Sequence, residues 1–110
     1  MEELERFLRR LALNDEESIE KVLADDSRVQ ASEVLDRKVD LLVRLGALLS
    51  LGAATPSLRA SVAHARNAGA NESEIVEVLV AVAPAIGLAR VVSEAPRLAI
   101  ALGYDIHTDE

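Results

Sequence analysis

The sequence predicts an all-α fold, an antiparallel bundle of six or so helices forming a single domain over residues 1–110. Three observations predict it. Apolar residues recur at three- and four-residue spacing, and no stretch alternates in the manner of a strand. Glycine, proline and Asn or Asp fall between the apolar runs, where helices start and stop. Hydrophobic residues make up 50% of the chain but aromatics only 2%, so leucine, valine, isoleucine and alanine must fill the interior. Such a core buries modest area, at roughly 25 cal/mol per Å². A small domain built this way gains further stability by assembling, so an oligomer is expected.

Leu4, Phe7, Leu8 and Leu11 predict a short amphipathic helix from Glu2 to about Leu13. Asn14 followed by Glu17 has capping-box form, which predicts a second helix to about Ala24 with Ile19, Val22 and Leu23 on its apolar face. Asp25-Asp26-Ser27-Arg28 is a polar break. Residues 1–30 therefore read as a helical appendage that packs on the bundle or on a neighbouring subunit, and residues 35–103 as the core.

Asp36 is the expected N-cap of the third helix, which carries Val39, Leu41, Leu42, Val43, Leu45, Leu48, Leu49 and Leu51. That helix is apolar around most of its circumference and should be covered on more than one side. Gly46 in its interior costs about 1 kcal/mol relative to alanine, which makes sense where another helix crosses closely. Gly52 should end it. Thr55-Pro56 then reads as N-cap and first helical residue of a helix running to Ala68, stopped by Gly69. Asn71 and Glu74 form a second capping-box pattern ahead of Ile75, Val76, Val78, Leu79, Val80 and Val82. Pro84 and Gly87 predict a kink or an end. The last helix, about Leu88 to Leu102, should be bent or split by Pro96 and capped by Gly103, and the polar tail from Tyr104 should fray.

The formal charge of −7 and the scattered lysines and arginines exclude a nucleic-acid partner, which requires a basic face. No apolar run reaches the length of about 20 residues needed to span a bilayer, so no membrane partner is expected. The absence of cysteine removes disulfides, thiolate metal ligands and thiol redox chemistry, and fits a cytoplasmic chain. MEELERFLRR is charged from its second residue and reads as no signal peptide. No cofactor fingerprint and no metal motif is present.

The helix LDRKVDLLVRLGALLSLG, the helix LRASVAHARNAG and the run AGANESEIVEVLVAVAPAIGLARVVSEAPRLAIALG together resemble the carboxymuconolactone decarboxylase family, which includes the alkylhydroperoxidase-D-like proteins. The resemblance covers roughly Leu35 to Gly103 and implies an all-α fold of the alkylhydroperoxidase-D-like type and a homo-oligomer, commonly a trimer or hexamer. It also implies what is missing. Peroxidase members carry C-x-x-C at the start of the second core helix with a histidine four residues beyond. Here those places hold Ala54, Ser57 and Ser61. The acidic residue that serves the thiols falls near Leu41 or Leu42. A peroxide-reducing cycle needs a thiolate and a resolving thiol, and the only sulfur here is in Met1. Decarboxylase members also carry their histidine where Ser61 stands.

Ser57, Ser61 and His64 lie at i, i+4 and i+7 and share one helix face. If that face opens into the family's pocket, His64 is the candidate catalytic acid/base and Ser57 and Ser61 are candidate binding residues. The same spacing also suits a first-turn serine, a small helix-contact serine and a rim histidine. Arg44 and Arg90 interrupt apolar stretches and need carboxylate partners if buried. Arg44 is the candidate anchor for a small carboxylated ligand, while Arg59 and Arg66 belong to a polar face. Glu72, Glu74 and Glu77 suit the positive end of a helix. His107 beside Asp105 and Asp109 lacks the fixed geometry a metal needs.

Three functional readings stay open on these residues. The first is a family member without thiol peroxidase activity that binds a small molecule or is catalytically degenerate. The second is a lyase, a decarboxylase acting on a small carboxylated lactone through His64. The third is a structural partner subunit of a hetero-oligomer, whose pocket would be collapsed and filled by leucine and valine.

Overall fold

The computed structural model describes residues 2–24 and 34–106, and six helices account for most of them. They are α1 (Glu2–Ala12), α2 (Glu16–Leu23), α3 (Arg37–Leu51), α4 (Thr55–Asn67), α5 (Glu72–Ile86) and α6 (Leu88–Leu102), with no strand among the described residues. The expected all-α class is therefore the observed one. The polar break at Asp25–Arg28, together with His107 and Asp109, lies outside the described residues.

The core is a set of helical stripes turned toward one another. Leu41, Leu45 and Leu49 are buried one turn apart on α3, and they meet Leu58, Val62 and Ala65 of α4, Ile75 and Leu79 of α5, and Leu98 and Leu102 of α6. Helix α3 packs on α4 and α5, and α6 closes the bundle against α4 and α5. The expected close crossing at Gly46 is found with α5: a Cβ added there would stand 3.3 Å from Val82 Cγ1 and 3.4 Å from Val78 Cγ1. The wrapping of α3 is incomplete, however. Val43 and Leu51 remain exposed, and a second groove between α3 and α5 is lined by Val39, Val43, Ala47 and Ala81 among others.

The caps follow simple rules, with two departures. Asp36 accepts from the Val39 N–H at 2.8 Å. Asn71 and Glu74 form a complete capping box, at 2.8 and 2.9 Å. At α2 the cap is Asp15, not Asn14. Asp15 accepts from both the N–H and the hydroxyl of Ser18, at 3.0 and 2.8 Å, and those bonds hold its carboxyl below the usual carboxylate range. Asn14 instead takes the positive φ of 60° that ends the preceding turn, a conformation asparagine tolerates. At α4 the cap is Ala54, with Thr55 already helical and Pro56 beside it, so that N-terminus has no side-chain acceptor.

Neither proline splits its helix, although α5 ends shortly after Pro84, at Ile86. Pro84 cannot bond the carbonyl of Val80 nor Pro96 that of Val92, and both valines are exposed. The expected fraying does not start at Tyr104 either. Its hydroxyl donates to Glu72 Oε1 at 2.8 Å, and that bond raises the phenol's pKa above 10.0. Glu72 also receives Arg66, whose guanidinium donates in addition to the Leu102 carbonyl at 3.1 Å and so joins the ends of α4 and α6.

One buried charge ties α6 to the α3–α4 turn. Glu94 is 1% exposed, and Arg97 Nη1 lies 3.0 and 2.9 Å from its two carboxylate oxygens. Arg97 Nη2 donates to the Ala53 carbonyl. Arg90, which the sequence marked as needing a carboxylate, approaches the same Glu94 at 3.9 Å. Gly52 takes a left-handed φ of 67° that favours glycine, and the Arg90 guanidinium lies over it. Replacing Arg97 by leucine leaves the buried carboxylate without a hydrogen bond and with Arg90, 3.9 Å away, as its remaining cation. Arg97→Leu is therefore expected to lose about 3–5 kcal/mol in urea unfolding, and a loss below about 1 kcal/mol would contradict this account of the turn.

Lys38 of α3 meets Glu74 of α5 at 2.9 Å. The bond lowers the Glu74 carboxyl below 4.5, helped by the Asn71 N–H, and raises the Lys38 ammonium above 10.5. The Glu74 contribution is complete above pH 4.5 and is lost as pH falls through its lower folded value. The Lys38 contribution is complete below pH 10.5 and is lost as pH rises through its higher folded value. Glu74→Gln keeps a side-chain acceptor for the Asn71 N–H and removes only the charge. Its thermal midpoint should lie below wild type at neutral pH, and the gap should close on acidification below pH 4.5.

Candidate functional site

Helices α3 and α4 form a hairpin, and the cleft between them opens into a cavity of about 470 Å³ lined by Leu41, Arg44, Ala47, Leu48, Ser57, Ala60, Ser61 and His64. All four residues singled out from the sequence line this one space. The local reasons are plain. Gly52 reverses the chain after α3, and Pro56 fixes the first turn of α4, so the two helices run back along each other. Leu58, Val62 and Ala65 then turn inward, which leaves Ser57, Ser61 and His64 on the cleft side.

The four differ in surroundings. Ser57 is exposed near the mouth. Arg44 is half exposed, and its Nε approaches the Asp40 carboxylate at 3.3 and 3.4 Å one turn back on α3. His64 is partly buried, and its ring has no hydrogen bond to any described residue. Ser61 is 7% exposed, and its hydroxyl finds no partner among the described residues. A buried polar group left unpaired costs about 1–3 kcal/mol, so this hydroxyl stands out.

Leu41, at the place the resemblance gives to an acidic residue, lines the cavity as an apolar wall. Among the described residues no carboxylate lines it and no cluster of metal-binding side chains occurs. The polar lining is Arg44, the two serines and His64, a set rich in donors, while leucine and alanine supply the rest. That combination suits an acceptor-bearing anion with an apolar body. Arg59 is exposed. Arg66 and Arg90 are engaged elsewhere, as described, and Glu72 and Glu74 serve structural pairs.

The sequence reading missed Leu48, Ala47 and Ala60 as lining residues, because nothing in their type marks a cavity wall. It also missed Glu94. A signal was there, since Glu94 is flanked by Arg90 four residues before and Arg97 three after, on one helix face.

The molecule is thus an all-helical protein whose central hairpin walls a ligand-sized cleft. A family model, the Carboxymuconolactone decarboxylase family, matches residues 16–100, and the chain belongs to that family. The match takes in α2 and so begins ahead of the stretch from Leu35 that carried the resemblance. Neither the curated proteins nor the solved structures give a significant match. No helix among the described residues is long and apolar enough to cross a membrane.

Because its hydroxyl is unpaired in the free protein, Ser61→Ala should leave stability unchanged or raise it by up to about 1 kcal/mol. A loss of more than about 1 kcal/mol in urea unfolding would mean that the hydroxyl has a protein partner.

Proposed function

We propose that this chain is a small-molecule-binding member of its family without thiol peroxidase activity, and that the α3–α4 cavity takes a small carboxylate-bearing ligand. The observation that carries the reading is a single cavity that combines the Arg44 guanidinium with the unpaired Ser61 hydroxyl and, among the described residues, has no carboxylate in its wall. The chain contains no cysteine, which leaves a peroxide nothing to oxidise to a sulfenic acid. The open cleft also favours binding over a purely structural subunit, for which leucine and valine would fill the space. Assembly into a homo-oligomer, a trimer or hexamer, belongs to the same proposal and is supported by the exposed apolar groove between α3 and α5. A cytoplasmic location is part of it too.

A second reading, decarboxylation of a small carboxylated lactone, is favoured by one observation, that His64 lines the same cavity as Arg44. In that reading His64 moves a proton while Arg44 holds the carboxylate. The missing hydrogen bond to orient the ring speaks for binding first.

Calorimetric titration with 3-phenylpropanoate tests the proposal. The acid should bind and its uncharged amide should not, and Arg44→Ala should weaken the acid by about 10- to 100-fold. Equal binding of acid and amide would leave the guanidinium without a role. Carbon dioxide released from a carboxylated lactone by wild type, and abolished in His64→Ala, would move the assignment to the lyase.

A further inference from the structure

Ser61 carries the only side-chain polar atom among the described residues that is buried without a partner, and it lies on the cavity wall. A helical serine has a ready acceptor in the carbonyl four residues back. Ser50 of α3 uses it, donating to the Gly46 carbonyl at 2.8 Å. Ser61 makes no such bond to Ser57, so its hydroxyl is left for whatever fills the cleft.

The hairpin fixes what stands opposite. Helices α3 and α4 are antiparallel and share the same rise per residue, so positions equally far from the turn lie at one level. Counted from the helix ends at Leu51 and Thr55, Arg44 lies about one residue's rise further from the turn than Ser61, and His64 lies nearly a turn further out than Ser61. The Arg44 guanidinium is engaged by Asp40 through Nε alone, which leaves the edge formed by Nη1 and Nη2 for a carboxylate. A carboxylate seated on that edge brings its neighbouring carbon, C2, to the level of the Ser61 hydroxyl. Toward the turn the walls are Ala47, Leu48 and Ala60, with the exposed Ser57 beyond them, and the alanines and leucine suit a compact apolar tail.

Resting on the ligand-binding reading above, we infer that Ser61 makes the cleft selective for 2-oxo and 2-hydroxy acids with a short apolar tail over acids with a plain methylene at C2. An oxygen at C2 gives the buried hydroxyl its partner. A methylene seals the hydroxyl away from water with none, and sites built around a polar group discriminate strongly against ligands that lack the match.

Phenylpyruvate and 3-phenylpropanoate differ only at C2 and serve as probes. In calorimetric titration of the full chain, phenylpyruvate should bind about tenfold or more tightly than 3-phenylpropanoate. In Ser61→Ala the preference should shrink to within about twofold, because 3-phenylpropanoate no longer strands a hydroxyl and phenylpyruvate loses its partner. Equal affinities in wild type, or a preference that survives in Ser61→Ala, would overturn the selectivity. If both acids bind alike and Arg44→Ala removes both, selectivity falls while the binding reading stands. If neither acid binds, both fall together.

Discussion

A carboxylate buried inside a bundle of leucine and valine is tolerable only when it is fully paired, and Glu94 is the residue on which this architecture turns. Arg97 grips both of its oxygens and reaches past it to the Ala53 carbonyl, while Arg90 leans over Gly52. The last helix is thereby bound to the turn between α3 and α4. That turn sets how the two helices of the hairpin run back along each other. The cleft opens between those same two helices, and neither Glu94 nor Arg97 is among the residues that line it.

The hairpin shows how little chemistry the scaffold requires to make a site. One helix offers Arg44 and the other offers Ser57, Ser61 and His64, while alanine at positions 47 and 60 keeps the walls low enough for a space to open. Where the family resemblance places sulfur and imidazole, this chain has alanine and serine. Donors and an apolar wall line the cleft, and the chain has no cysteine to drive a redox cycle.

Most of the fold was legible because helices announce themselves by period and by punctuation. Asp36, Gly52, Asn71 with Glu74, and Gly103 marked ends that the structure reproduces. The errors share a cause. The Asn14–Glu17 spacing and the Thr55-Pro56 pair point to caps one residue away from the true ones, because a cap depends on backbone angles and Asp15 and Ala54 hold the extended conformation. Pro96 does not split α6, because a proline removes one hydrogen bond and the turns on either side of it keep theirs. The four candidate site residues could be named because polar groups on an apolar helix face invite a question. Leu48 and Ala60 could not, since walls are defined by what lies across from them. Glu94 was readable in principle from its flanking arginines, but only burial turns such a triplet from surface decoration into a lock.

The bond from Tyr104 to Glu72 has a practical corollary. The chain has one tyrosine and no tryptophan, so its ultraviolet signal beyond the backbone comes almost wholly from a single ring. That ring sits where the end of α6 meets the start of α5, next to the Arg66 bridge. The protein therefore carries a native optical gauge at the seam between its first and last core contacts, readable without any label.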